Sequence, residues 1–591
     1  MSQHPHMARA SLAHFFVCTL IALSMTGVST SVMRSQPPSP KREVRAVWIT
    51  TVNGLDWPKT TDVMEQRRSL REIIQRLYEA GFNTVFFQVR GRADAYYRSR
   101  YEPWAQPLTG RQGADPGWDP LQFVLEEAHE RGMEVHAWFN TFLIRSGKSS
   151  PFKEMFMPSR LQQWKKRIDN DWWFDPGIPE VRAYTLDVAL DIVRQYDIDG
   201  IQFDYMRYPG SAFPDAETFR WFGKGSTKED WRRENINKFV KAVYDSVMKI
   251  KPMLKVGSAP IGVYMNTKEI RGLQSYSELF QDSRAWLSRR TQDYLAPQLY
   301  WSLGTKPGNP DFATVALEWS EHSYGRHLYF GVGAFKPEVH GQLADLIDAS
   351  RKVGADGNAF FRYESISDAL DLGGRYKFPA LIPPMPWKDH QPPNPPTALH
   401  VDNPTDDIFA LRWTKPSLAF DGDPAMKFVI YRSASSPVDV DRSSNILALI
   451  PASRFEYSDT ILHVRATKYY YAVSALDRGN NESTPSVERG VVVPALAALA
   501  RQFQARSRMG NPYRSPHSSI MFFPYELSTK APVFVKVLDG ANAEVATVVD
   551  AQQAAGMHVA AADLSRLRPG TYSLLFITGE TTEKTTLQIG N

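Results

Sequence analysis

Eight short apolar runs, each followed by a helical pattern, constrain this chain more than any other feature. They fall at residues 45–50, 84–89, 135–140, 200–204, 255–259, 294–299, 328–331 and 358–361. Runs this short and this continuously apolar read as strands buried on both faces, as in a parallel sheet. The intervening segments carry helix signals. Asp62-Val-Met-Glu65 has the form of a capping box, Leu70, Ile73, Ile74 and Leu77 then make one stripe, and Gly81 stops the helix. Pro179 sits where a first-turn proline belongs. Eight strand–helix units with right-handed crossovers predict a closed (β/α)8 barrel, a TIM barrel, over residues 43–387.

The chain has 591 residues, too many for one core. A proline cluster at 379–396 reads as a linker, and beyond it the helical period disappears. Short strands at 398–401, 409–413, 428–432, 455–459, 468–475 and 490–493 make a β unit over 392–494, and a last β-rich unit occupies 517–591. The expected architecture is therefore α/β: a barrel followed by two β-sandwich domains. Residues 1–33 have the pattern of a signal peptide, with Arg9 ahead of an apolar run at 15–25 and small residues after it. The single cysteine, Cys18, lies inside that run, so the exported chain would hold neither disulfide nor thiolate metal site. No later segment is apolar enough to cross a membrane. A net charge of +5 without basic clusters argues against nucleic acid as a partner. Aromatic residues reach 12%, which suits a carbohydrate cleft.

The stretch Asp197-Ile-Asp-Gly-Ile-Gln-Phe-Asp-Tyr-Met-Arg-Tyr-Pro209 ends its strand on Asp204, followed by Tyr205, Arg207 and Tyr208. The C-terminal ends of barrel strands carry the chemistry, and carboxylates beside aromatics suit work on a glycosidic bond. Asp204 is the central catalytic candidate, as nucleophile or as the charge that stabilises an oxocarbenium-like state. Glu364, after the eighth strand, is the candidate general acid, with Asp94 and Asp56 behind it. Asp56, Gln88, Arg90, His136, Asn140, Arg207, Tyr208, Gln298, Tyr300 and Trp301 are candidate substrate contacts, since amides and guanidinium groups bind hydroxyls and rings stack on sugars. For His136 a satisfied core histidine is the favoured alternative. No metal-ligand spacing, nucleophile elbow or phosphate loop is present, so neither metal nor cofactor is expected.

Several of these motifs together resemble the glycosyl-hydrolase-like family ten. They are Arg45-Ala-Val-Trp-Ile-Thr-Thr-Val-Asn-Gly-Leu-Asp-Trp-Pro58, Phe87-Gln-Val-Arg90 with Asp94, Glu102-Pro-Trp104 with Leu108-Thr-Gly110, Trp118-Asp-Pro-Leu121, Glu127 through Asn140, Asp199 through Pro209 and Pro297-Gln-Leu-Tyr-Trp301. The resemblance implies a (β/α)8 barrel with glycosidase activity. A polysaccharide is the implied substrate, with peptidoglycan strands stripped of stem peptides the leading class. Two departures stand out. Many members carry two adjacent acids at the end of strand four, where this chain has Asp204-Tyr205, and many follow the strand-three Asn with Pro-Tyr-Arg, where this chain has Thr141-Phe-Leu143. The first motivates an alternative expectation, a non-catalytic surface protein that binds glycan. Trp413 and the run from Tyr469 to Ser483 resemble a fibronectin type III domain. Gly556-Met-His558, Pro569-Gly-Thr-Tyr572 and Lys584-Thr-Thr-Leu-Gln-Ile589 resemble C-terminal immunoglobulin-like domains of secreted bacterial proteins, some of them type IX sorting signals. The signal pattern at the N-terminus predicts export to the periplasm, cell surface or medium, and for the last unit sorting, surface attachment and simple structural spacing are the alternatives.

Overall fold

A computed structural model of the chain describes residues 39–145, 159–304, 308–405, 408–461, 467–493, 507–514, 520–579 and 581–590. The expected signal peptide at 1–33, with Cys18, lies outside them. Eight parallel strands close into a barrel: β1 (Val44–Ile49), β2 (Thr84–Arg90), β3 (Glu134–Asn140), β4 (Gly200–Asp204), β5 (Lys255–Ser258), β6 in two pieces (Tyr294–Leu295 and Gln298–Leu299), β7 (His327–Val332) and β8 (Gly357–Phe360). Each pairs with its successor and β8 pairs with β1, with Val47 opposite Phe360. The principal outer helices are α1 (Val63–Glu79), α2 (Pro120–His129), α3 (Pro179–Gln195), α4 (Lys228–Ile250), α5 (Phe312–Ser320) and α6 (Leu343–Lys352). The Asp62 side chain caps α1 by accepting from the Glu65 amide, as the capping-box signal predicts.

Alternation along the strands divides the apolar residues between two cores. Outward side chains such as Val135, Ala137, Phe139, Ile201 and Phe203 meet the helices. Inward ones, Trp48, Phe86, Trp138, Tyr294 and Tyr329 among them, fill the lumen. Two glycines make room for the largest rings. A Cβ at Gly257 would stand 2.2 Å from the Tyr294 ring, and one at Gly200 would stand 2.7 Å from His136 Nδ1. Large rings facing glycine on neighbouring staves are how a barrel of this size packs solid rather than leaving a pore.

The barrel floor is sealed by charge. Lys255 Nζ lies 2.7 and 2.5 Å from the two oxygens of the buried Glu134 carboxylate. Asn480, from a turn of the following β unit, donates to the same carboxylate at 3.0 Å. The proline cluster is not a loose linker but a strap over this end. Trp387 Nε1 donates to Asp293 at 2.9 Å, Lys388 pairs with Asp293 at 2.7 Å, and the Trp387 indole meets the His327 ring edge-on at 4.7 Å.

Beyond the strap, the antiparallel strands Thr397–Thr405, Ile408–Thr414 and Glu456–Thr460 form one sheet. A second comprises Lys427–Ser433, Ile446–Pro451, Thr467–Leu476 and Arg489–Val493. They share a core containing Leu411, Trp413, Phe428, Ile430, Tyr471 and Val473. Strands from Arg508 to Ile589 form two further antiparallel sheets around Phe523, Val533, Val535, Leu574 and Phe576. Among the described residues no helix is long and apolar enough to cross a membrane.

The floor generates a stability prediction. Lys255→Met strands the Glu134 charge in a dry site and should cost about 3–5 kcal/mol, whereas Asn480→Ala removes one hydrogen bond to that charge and should cost about 1–3 kcal/mol. Denaturant melts of the three chains test the order.

Candidate active site

Register places Asp204 before any side-chain argument is needed. β3 and β4 run in step, with Trp138 opposite Gln202 and Asn140 opposite Asp204. Both rim residues therefore end their strands at the C-terminal mouth of the barrel. Thr141 fixes the Asp204 backbone carbonyl twice, by its amide at 2.8 Å and its hydroxyl at 2.9 Å. Tyr205 then turns left-handed, with φ of 51°, a conformation uncommon for a residue with a side chain and typical of functional turns. The turn lets the Tyr205 amide donate to Asp204 Oδ1 at 2.6 Å, and Gln298 Nε2, on β6, stands 3.5 Å from the same oxygen.

The electrostatics of this carboxyl are decided by burial. Loss of water pushes the Asp204 pKa up, the Arg207 charge and the Tyr205 amide pull it down, and burial wins, leaving it at about 6. A carboxyl so placed is part protonated near neutrality, which is what a proton donor needs. Aromatic rings build the wall. Tyr300 stacks on Phe361 at 5.8 Å and meets Phe335 edge-on at 5.7 Å. Phe361 in turn touches Trp48 and Trp138 at 5.9 and 6.1 Å. Across the mouth, the strand Asp171–Phe174 brings Trp173 to 5.8 Å from Tyr205. Trp301 is half-buried and packs against Gly262. Among the buried polar atoms of the described residues that lack a hydrogen-bond partner are Trp138 Nε1, one pleat below the rim, and Asn140 Oδ1 at it. One donor and one acceptor left open beside a carboxyl can take up ligand hydroxyls.

Of the residues singled out in the sequence, Asp204, Asn140, Arg207, Gln298 and Tyr300 gather at this mouth. Others have different work. Glu364 is half exposed, and Lys59 at 2.7 Å with Arg362 at 3.4 Å holds its carboxylate below the usual range. That is the reverse of a general acid, so the expected role is corrected. Asp56 is buried and clasps the β1 and β8 loops together, accepting from the Thr50 amide at 2.7 Å, the Glu364 amide at 3.0 Å and the Arg362 guanidinium. Asp94 is buried in its own turn, taking the Arg92 amide at 2.8 Å. Gln88 uses its carbonyl to hold the Thr51 and Val52 amides at 3.0 and 2.9 Å.

Arg90 is buried and locked bidentate to Glu102 at 2.7 and 2.6 Å. His136 is a core histidine, 2.7 Å from the Tyr294 hydroxyl and kept neutral chiefly by burial. Tyr208 has no exposed surface and packs between Phe213 and Phe280. The substrate contacts expected of Arg90, His136 and Tyr208 are therefore replaced by packing and pairing. Sequence reasoning missed Trp138, Trp173 and Phe335, and it noted Thr141 only as a departure at the end of strand three. It also missed Asp171, whose charge, with that of Asp204, acts on the Tyr205 phenol. For Trp173 and Asp171 the only signal was the tryptophan-rich insertion between β3 and β4.

Linkage gives a direct check. The folded-state pKa of Asp204 is raised, so the native chain binds more protons than the unfolded one between about pH 4 and pH 6, and stability contributed by the protonated form is lost as pH rises through that window. Asp204→Asn should therefore stabilise the chain at pH 7, by up to about 3 kcal/mol, and leave it unchanged near pH 3. Melts of both chains across that range measure it.

The chain's likeness to known proteins fits this geometry. The family described as glycosyl hydrolase-like 10 matches residues 43–340. Glycosyl hydrolase YngK of Bacillus subtilis is 33% identical over 485 residues, which is 75% of this chain and 92% of that protein. Glycosyl hydrolase DigH of Escherichia coli K12 is 33% identical over 404 residues, covering 59% of this chain and 91% of that one. Among solved structures, the PgaB (BpsB) glycoside hydrolase domain of Bordetella bronchiseptica aligns with a TM-score of 0.41 at 14% identity, over 57% of this chain and 98% of that one. With a family match spanning half the sequence and a relative matched over nearly its whole length, the chain belongs to the glycosyl hydrolase-like 10 family.

Proposed function

We propose that this chain is an exported glycoside hydrolase that cleaves O-glycosidic bonds of a polysaccharide, with peptidoglycan strands lacking stem peptides as the leading substrate. The observation that carries the reading is Asp204 itself, a rim carboxyl held at about 6 by burial among stacked aromatics. In this reading Asp204 protonates the departing glycosidic oxygen. Tyr300 and Trp301 stack on sugar faces, and Gln298, Asn140 and the open Trp138 N–H meet hydroxyls. Asp171, whose charge also acts on Tyr205, is the candidate for the opposing carboxylate, so the second acid comes from the hairpin rather than from the place after Asp204. Asp94 and Glu364 serve the loops around the mouth.

The two antiparallel sheets after the strap fit a β-sandwich of fibronectin type III kind, and the last unit fits an immunoglobulin-like sandwich that could carry surface attachment or sorting. A second reading keeps the site but not the chemistry: a surface glycan-binding protein, favoured by Tyr205 standing where many relatives carry a second acid.

Reducing-end release from purified peptide-free wall glycan separates the two. The hydrolase reading expects turnover by the native chain and a loss of about 10²–10⁴-fold in Asp204→Asn. Binding without release by either chain favours the second reading.

A further inference from the structure

Several buried or half-buried arginines in this chain meet a carboxylate at contact distance. Arg45 pairs with Glu43 at 2.9 Å, Arg90 with Glu102 at 2.6 Å, Arg232 with Asp215 at 2.7 Å and Arg432 with Asp459 at 2.8 Å. Two half-buried arginines at the mouth have none, and where Arg76 and Arg182 donate to backbone carbonyls, these two meet aromatic rings or a neutral amide. Among the described residues, no carboxylate is within ion-pair distance of the Arg92 or the Arg207 guanidinium. Arg207 lies over the rings of Tyr205 and Trp173, 5.2 and 5.9 Å from their centres. Arg92 donates to the neutral side chain of Asn53 at 2.7 Å and faces the same tyrosine. Arg145, on the strand paired with Trp172 and Trp173, adds positive charge against Arg92. The acids that act on these groups or on the tyrosine beside them are Asp94, buried in its turn, Asp171, and Asp204 itself.

We propose that the recess beside Asp204, walled by Tyr205 and Trp173 and lined by Arg92 and Arg207, is a subsite for a carboxylate carried by a sugar next to the bond being cleaved. The proposal rests on the glycoside hydrolase reading and adds to it the charge of the substrate. A guanidinium in a partly dehydrated place costs free energy unless an anion meets it, and its planar fork matches a carboxylate in two bonds. Sugar hydroxyls alone would leave both cations uncompensated. A part-protonated Asp204 also repels a neighbouring anion less than an ionised one would, so the two features support each other. The carboxylate could come from a lactyl ether, as on wall glycan freed of its peptides, or from a uronic acid. The chemistry of recognition is the same for both.

The test uses the full chain with three polymers: peptide-free wall glycan, the same glycan with its carboxyls reduced to alcohols, and a polyuronate. Turnover is read with the native chain, and binding by calorimetry with Asp204→Asn, so that affinity does not depend on hydrolysis. The native chain should favour a carboxylate-bearing polymer over the reduced glycan by roughly tenfold or more. Arg92→Gln should erase most of that ratio and Arg92→Lys should restore part of it. Should Arg92→Gln melt early, Arg207→Gln reads the same ratio. A preference for wall glycan or for polyuronate names the source, and either supports the recess. An arginine-dependent binding ratio with no turnover of any polymer keeps the recess and removes the hydrolase reading. Equal treatment of charged and reduced polymers, or binding of none, overturns the recess.

Discussion

Withdrawal of one carboxyl from water is the constraint on which the site depends. Asp204 is surrounded by rings that the barrel must place there: Tyr205 and Tyr300 feel its charge directly, and Phe361 backs Tyr300. Closure of the sheet, the step-by-step register of β3 with β4 and the double grip of Thr141 on the backbone fix where the carboxyl stands. The nearby cation opposes the shift without reversing it, because Arg207 lies over the aromatic faces of Tyr205 and Trp173 rather than in a bidentate pair with Asp204. Had that pair formed, burial would have been offset and the group would titrate lower.

The opposite end of the same lumen shows that alternative. Glu134 is also buried, and burial pushes its pKa upward, yet Lys255 in direct contact overcomes this and holds the carboxylate well below its ordinary range. Like burial gives opposite shifts because one carboxyl has a contact cation and the other has only a neighbour. The floor is then a structural ion pair, completed by Asn480 from the next unit, and the rim is left for chemistry. This division follows the general polarity of such barrels, with stability at the N-terminal ends of the strands and reaction at the C-terminal ends.

How much of this could be read from the sequence follows from the range of each interaction. The barrel strands were legible because each is a continuous apolar run whose burial is decided locally, and the end of β4 at Asp204 falls where it was expected. Asp204 stood out for the same reason: a charged residue directly after four buried ones. The roles of Glu364, Asp56 and Arg90 were illegible because their partners lie in other loops. Lys59 is 305 positions from Glu364, and Glu102 belongs to the turn-rich insertion after β2. The strap at Trp387 looked like a linker because prolines signal the absence of regular structure, not the absence of packing. The floor contact of Asn480 with Glu134 spans 346 positions and leaves no local trace.

The central claim is that burial holds the Asp204 carboxyl partly protonated in the folded chain. Carboxyl-carbon NMR titration of the aspartates, with the Asp204 signal identified by its loss in Asp204→Asn, measures this without reference to any substrate. The account predicts a midpoint of about 6 for that signal. A midpoint near 4, the ordinary value for an exposed aspartate, would contradict it.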